Sequence, residues 1–211
     1  MTEYRTLSGY GRAQIEEKRS TFIGSADFVT TEEEATAFIK AIRNEFPDAR
    51  HNVYAYLLRE GAKTRYSDDR EPQGTAGMPI LEVLRKSECF DTVVVVTRYF
   101  GGILLGTGGL VRAYTEAATA AIAAAGQIIR RPALTFSFTC SYAEYPRCER
   151  FFKTAGLALG DPDFGAEVTV TYTVSAAEAD LVAERLYDET GGRITPKKVG
   201  EGWQKIPLTE P

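Results

Sequence analysis

VVVVTRYFGGILLGTGGLVRAYTEAA, Val93 to Ala118, decides how the chain must fold. Four consecutive valines leave no polar face, so DTVVVVTRYF (91–100) reads as a strand buried on both sides. The strand ends in Arg98, Tyr99 and Phe100. Five glycines follow within nine residues (Gly101, Gly102, Gly106, Gly108, Gly109). A helix over Gly109–Ala125 comes next, and its Ala113, Ala117, Ala120, Ala121 and Ala124 let it approach a sheet closely. Arg112 lies in what this reading makes the first helical turn, so an arginine flanks the glycine loop on each side.

The segments upstream supply the partners. GRAQIEEKR and TFIGSADFV read as two strands joined near Arg19 and Ser20, and HNVYAYLL as another. Thr31-Glu-Glu-Glu34 is a capping box, and Ala35, Phe38, Ile39, Ile42 and Phe46 follow it at helical spacing. SDDREPQGTAGMP is a long polar loop before a helix near Ile80–Ser87. Gly126 and Pro132 end the alanine-rich helix and place a domain boundary, giving domains 1–131 and 132–211. The second reads β-α-β-β-α-β: ALTFSFTCSY, a helix with Pro146 in its first turn, GLALGDPDFG, AEVTVTYTVS, a helix opened by the capping box Ser175–Glu178, and GRITPKKVG.

Bulk composition narrows the function classes. At 211 residues, 44% hydrophobic and 26% charged, the chain is long enough for two small domains of a soluble protein. No apolar run reaches the roughly 18–20 residues that span a bilayer, and the N-terminus lacks the apolar core of a signal peptide. Cys89, Cys140 and Cys148 are odd in number without a C-x-x-C, which suits reduced thiols. These features predict a cytoplasmic protein with no membrane partner. Residues 1–131 hold 17 Lys+Arg against 17 Asp+Glu, and residues 132–211 hold 8 against 12, so the net charge of −4 belongs to the second half. Bulk attraction to nucleic acid is excluded; such contact needs a local patch.

The glycine loop has two readings. Amides at a strand-to-helix turn point toward an anion, and Arg98 and Arg112 could clamp a phosphate from two sides. Alternatively the glycines permit left-handed turns and close packing, with no ligand. Neither a P-loop lysine nor a dinucleotide fingerprint is present. The polar loop offers Asp68, Asp69, Glu71 and Thr75, whose carboxylates could meet a hard cation, stay solvated, or pair with Arg98 or Arg112 into one composite site. His51 is the only histidine, so histidine-dependent nucleophilic catalysis would have to use it, and neither Cys140 nor Cys148 has ligand-like spacing to it for a zinc site. Tyr54, Tyr56, Tyr66, Tyr99 and Phe100 are either core or a stacking surface for single-stranded nucleic acid. No catalytic set, metal or cofactor is expected.

At SDDREPQGTAGMPIL, VVVVTRYFGGILLGTGGLVRAY, KRSTFIG and HNVYAY the sequence resembles the YigZ/IMPACT family. Three positions depart from its pattern: Arg70 where glycine is common, Met78 where a polar or basic residue is frequent, and Leu104 where lysine is often seen. The resemblance implies an α+β protein with an N-terminal ribosomal protein S5 domain 2-like domain, a sheet backed by two helices. It implies a C-terminal ferredoxin-like domain similar to the last domain of elongation factor G. Eukaryotic members regulate translation. The leading expectation is therefore a non-enzymatic regulator contacting RNA, the ribosome or a translation GTPase through the Arg98–Arg112 loop. The alternatives are an enzyme handling a phosphorylated small molecule, and an adaptor using the acidic second domain against a basic partner.

Overall fold

The computed structural model describes residues 2–208, which form two compact units, Tyr4–Ile129 and Arg130–Ile206, with Thr2 and Glu3 counted in the second. The first unit contains β1 (Tyr4–Leu7), β2 (Gly11–Glu17), β3 (Ser20–Phe28), α1 (Glu32–Glu45), β4 (His51–Leu57), β5 (Thr64–Ser67), α2 (Gly77–Lys86), β6 (Thr92–Tyr99) and α3 (Gly106–Ala125). Five of its strands make an antiparallel sheet in the order β2-β3-β6-β4-β5.

The valine strand lies at the centre of that sheet, and its side chains alternate between two cores. Val94 and Val96 pack with Ile80, Leu81 and Leu84 of α2 and with Ala113, Ala117 and Ala121 of α3. Val93 and Val95 pack with Ala35, Ile39 and Ile42 of α1. Four valines in succession are what a period-two strand needs when helices cover both faces. The sheet therefore carries two helices on one face and a third on the other.

Close approach explains the small residues. A Cβ on Gly24 of β3 would stand 2.4 Å from the Ala117 carbonyl oxygen, and one on Gly11 of β2 would stand 2.1 Å from the Ala125 nitrogen. Helix α3 thus lies against the sheet backbone itself. Between β2 and β3, Lys18 and Arg19 both adopt left-handed conformations, φ 46° and 66°, in a two-residue turn without glycine.

Helix starts differ from their sequence signals. Thr31 caps α1 as expected, accepting from the Glu34 N–H at 3.2 Å. The Glu34 carboxylate accepts from the Thr30 N–H at 2.6 Å, one residue earlier than the capping-box pattern predicts. Helix α2 begins at Gly77 and α3 at Gly106, each three residues before its predicted start. Strands β1 and β5 have no counterpart among the predicted elements; each has four residues and lacks alternation.

The chain passes into the second unit along β7 (Gln127–Cys140), a continuous strand through Pro132. The unit continues with α4 (Tyr145–Thr154), β8 (Asp163–Phe164), β9 (Val168–Ser175), α5 (Ala179–Glu189) and β10 (Lys197–Pro207). Its strands lie in the order β10-β7-β9-β8. Phe138, Val170 and Tyr172 of the sheet pack with Cys148 and Phe152 of α4 and Leu186 of α5. The second capping box does not form: Ser175 donates to the Glu178 carboxylate before the helix, and α5 starts at Ala179 with no side-chain cap. The last strand begins at Lys197 rather than Gly192, because Gly191 and Gly192 take left-handed turns first.

All three cysteines are buried and free. Burial pushes the Cys148 thiol up to about 12 and raises Cys89 and Cys140 as well. A thiol reagent at neutral to mildly alkaline pH is expected to modify none of them in the native protein and all three after denaturation. Gly24→Ala is expected to destabilise the protein by about 1–3 kcal/mol through overpacking against α3, read as a lower urea midpoint.

Candidate functional site

Two loops of the first unit build the site: the one from β5 to α2 and the one from β6 to α3. In the first, Asp68 takes two amides at the start of α2, accepting from the N–H of Ala76 (3.1 Å) and Gly77 (2.8 Å), and also accepts from the loop N–H of Gly74 at 2.9 Å. The next two residues, Asp69 and Arg70, sit at φ 41° and 70°. This left-handed pair turns the chain so that Glu71 enters the core at 8% exposure.

Glu71 meets Arg98 there. Arg98 shares the face of Val94 and Val96 and pairs in register with Phe22 of β3 and His51 of β4. Its Nη1 donates to Glu71 Oε1 at 2.6 Å, and both side chains are almost fully buried. The Tyr114 hydroxyl of α3 donates to the same oxygen at 2.8 Å. Burial, then the Glu71 charge, hold the Tyr114 phenol well above its ordinary range, so it stays a donor. Phe22 lies under the Arg98 guanidinium at 5.4 Å and meets the Tyr114 ring edge-on at 5.2 Å. His51 Nδ1 sits 2.8 Å from the Asp69 carbonyl oxygen. A carbonyl only accepts, so Nδ1 carries the hydrogen and Nε2 faces Glu71 Oε1 at 3.7 Å.

Of these residues His51, Glu71 and Arg98 line a cavity of about 510 Å³. Arg50 and Arg70 add two more guanidinium groups at its rim, and Phe100, Leu104, Leu105 and Leu110 make the apolar side. Gly106 and Thr107, at the start of α3, also line it. The Arg70 guanidinium holds the Arg50 carbonyl at 3.1 Å, and Arg50 and Arg98 both lie over the Phe100 ring, at 5.5 and 5.6 Å. Arg98 Nε is buried without a hydrogen-bond partner. Guanidinium groups beside a half-apolar hollow suit an anionic group attached to a flat or apolar body.

The residues singled out from the sequence divide into those that reach this cavity and those that do not. His51, Glu71, Arg98, Phe100 and Gly106 line it. Arg112 does not: because α3 starts at Gly106, Arg112 falls in its second turn, exposed and outside the cavity, with no ion pair among the described residues. The two-sided arginine clamp is therefore absent. Tyr99 points elsewhere and donates to Asp48 at 2.9 Å. Asp68 caps a helix, Asp69 accepts from the Asn52 N–H at 2.7 Å, and the Thr75 hydroxyl closes a turn on the Pro72 carbonyl at 2.6 Å. No cluster of His, Cys, Asp and Glu able to hold a metal occurs among the described residues.

The glycines serve mostly the backbone. A Cβ on Gly101 would lie 2.0 Å from the Arg19 carbonyl oxygen; Gly102 and Gly106 have φ of 84° and 71°; Gly109 would press on Leu105 at 2.9 Å. Only Gly108 in this loop has open space and an ordinary φ. Arg50, Arg70 and Tyr114 carry no sequence signal for this role, apart from Arg70's departure from the expected glycine.

Comparison with known proteins matches residues 18–122 to the Impact N-terminal domain. IMPACT family member YvyE of Bacillus subtilis is 34% identical over 196 residues, 92% of this chain and 90% of that one. IMPACT family member YigZ of Escherichia coli is 33% identical over 180 residues, 84% and 88% of the two chains. A crystal structure described as a hypothetical protein superposes with a TM-score of 0.60 at 30% identity, covering 95% of this chain and 98% of that one. The chain belongs to the IMPACT family.

Replacing Glu71 by Ala strands the Arg98 charge in the core and is expected to cost about 3–5 kcal/mol. Tyr114→Phe removes one donor to a charged acceptor but strands no charge, an expected loss of about 1.5–3 kcal/mol. Urea unfolding of the two variants checks the order.

Proposed function

We propose that this protein is a non-enzymatic binding protein that acts in translation and takes an anionic partner, RNA, the ribosome or a translation GTPase, at the Arg50–Arg70–Arg98 cavity. The observation that carries the reading is the convergence of three guanidinium groups, Arg50, Arg70 and Arg98, on one half-apolar hollow. Membership of the IMPACT family, whose eukaryotic members regulate translation, supports the translational part. The arginine pair differs from the one the sequence suggested: Arg50 and Arg70 take the place of Arg112.

The domain types implied by the family belong to the same reading. The second unit is of the ferredoxin-like kind: its four strands lie in the spatial order fourth, first, third, second, around a β-α-β-β-α-β chain. The first unit is of the ribosomal protein S5 domain 2-like kind, with α2 and α3 on one sheet face and α1 on the other. A metal-assisted phosphoryl enzyme has less in its favour, because the carboxylates of Asp68 and Asp69 are committed to backbone amides and that of Glu71 to Arg98. The adaptor reading, the acidic second domain against a basic partner, gains no specific observation; a protein partner has a different foothold in the exposed apolar tip at Ile103 and Leu104, the latter 83% exposed.

Ribosome co-sedimentation over a salt series tests the proposal. Charge reversal at Arg98 would set two buried carboxylates against each other and unfold the site, so the exposed rim is changed instead. Arg50→Glu with Arg70→Glu is expected to abolish salt-sensitive binding, and Arg112→Glu to leave it intact. Equal loss with Arg112→Glu would move the contact to the α3 surface. Binding indifferent to salt and to both changes would sink the anionic-partner reading and favour the apolar tip.

A further inference from the structure

A second concave site lies on the opposite face of the first sheet, where α1 crosses β4 and β5. Lys40 and Arg43 come to it from α1 and Arg65 from β5, over a floor that includes Tyr54 and Tyr56. The hollow is about 350 Å³, and no residue lining it is acidic. Other cations of the unit are paired, Arg12 with Glu45 at 2.5 Å, Lys63 with Glu32 at 3.0 Å and Arg85 with Glu82 at 2.8 Å, while Lys18, Arg19, Lys86 and Arg112 stand exposed with no ion pair among the described residues. What sets the hollow apart is that three cations converge on one depression.

Two of the three cations of the hollow, Lys40 and Arg43, are poorly compensated. Lys40 has no partner among the described residues. Arg43 comes no nearer to Asp69 than 3.8 Å and lies over the Tyr54 ring at 5.7 Å. Arg65 reaches the Tyr56 hydroxyl, whose own hydrogen goes to Glu32 at 2.7 Å. Like charges gathered around one depression repel each other and add nothing to folding; an anion lying there relieves the repulsion.

Asp69 joins this hollow to the cavity at Arg98. Its carboxylate faces Arg43, while its backbone carbonyl accepts from His51. Two basic hollows, each with aromatic rings, therefore flank a single residue in the loop just beyond edge strand β5. Separate small ligands would not need that adjacency. A flexible chain with regularly spaced charges and stackable rings would use both hollows at once. Single-stranded nucleic acid has those properties, whereas a duplex is too stiff to turn around a sheet edge.

We propose that single-stranded nucleic acid wraps the β5 edge of the first unit, with phosphates on Lys40, Arg43 and Arg65 in one hollow and on Arg50, Arg70 and Arg98 in the other. This rests on the anionic-partner reading of the Arg98 cavity and extends it to a second subsite and a defined partner. It also fits the absence of a general basic excess, since the binding surface is confined to one strip.

The test is fluorescence anisotropy with a labelled single-stranded RNA of about 12 nucleotides, the same sequence as DNA, and its duplex, from about 50 to 200 mM salt. The wild type is expected to bind both single strands and to bind the duplex at least about tenfold more weakly. Lys40→Glu with Arg65→Glu, or the milder Lys40→Gln with Arg65→Gln, is expected to weaken single-strand binding at least about tenfold. The logarithmic salt slope should flatten by about 0.7 for each phosphate that no longer meets a cation. An unchanged melting temperature shows that both variants remain folded. Unaltered affinity and slope in these variants, with binding abolished in Arg50→Glu/Arg70→Glu, would overturn the second subsite and leave the first reading standing. A wild type that ignores all three nucleic acids yet sediments with ribosomes through Arg50 and Arg70 would overturn the nucleic-acid partner alone. Equal binding of duplex and single strands would overturn the wrapped path.

Discussion

One carboxylate oxygen, Glu71 Oε1, accepts from both Arg98 and Tyr114, and three pieces of the first unit meet there: the β5–α2 loop, the end of the central strand and helix α3. The pair is not a device for stability. Taking two charges out of water costs several kcal/mol per ion, and an apolar pair of similar volume serves a core at least as well. What the pair supplies is position. A guanidinium on a long flexible stem is fixed between Phe22 and Phe100, with donors to spare at a cavity wall. The desolvation cost is met at the one place where a fixed arginine is useful to a ligand.

Much of the architecture was legible because burial writes a periodicity. Val93–Val96 could only be a strand with cover on both faces, and the alanines of α3 had to lie against something flat. Elements that bury little left no such record. β5 is an exposed edge of four residues, and its sequence, TRYS, has no apolar side to betray it. The start of α2 was hidden for another reason. Its cap, Asp68, lies nine positions before Gly77 and reaches the amides only after the loop has folded back, so no local spacing encodes it.

The site was half legible for related reasons. Arg98 and Glu71 could be suspected of pairing from their residue types alone. Arg112 was placed wrongly because nothing in Leu105-Gly-Thr-Gly-Gly marks a helix start: Leu105 offers no side-chain cap, and three glycines in five residues look like loop. Moving the start to Gly106 swings Arg112 away from the cavity. Arg50 and Arg70 join Arg98 only through tertiary contacts between segments twenty or more residues apart, which a linear reading cannot assemble. The second basic hollow was hidden similarly, since Lys40, Arg43 and Arg65 look like ordinary solvated charges until β5 is paired beside β4.

The close approach of Gly101 to the Arg19 carbonyl has a mechanical side. The hairpin turn at Lys18 and Arg19 holds two residues with side chains in left-handed conformations, a cost of roughly 1–2 kcal/mol for each. Its backbone rests so closely on Gly101 that no side chain fits between them. Ser20 adds a hydrogen bond to the Gly101 amide at 3.2 Å. The hairpin tip and the glycine loop therefore cannot shift independently. A loop rich in glycine ordinarily suggests hinge and flap, but here its first residue is pinned from beneath, so the point where the central strand enters the loop is anchored to the hairpin tip.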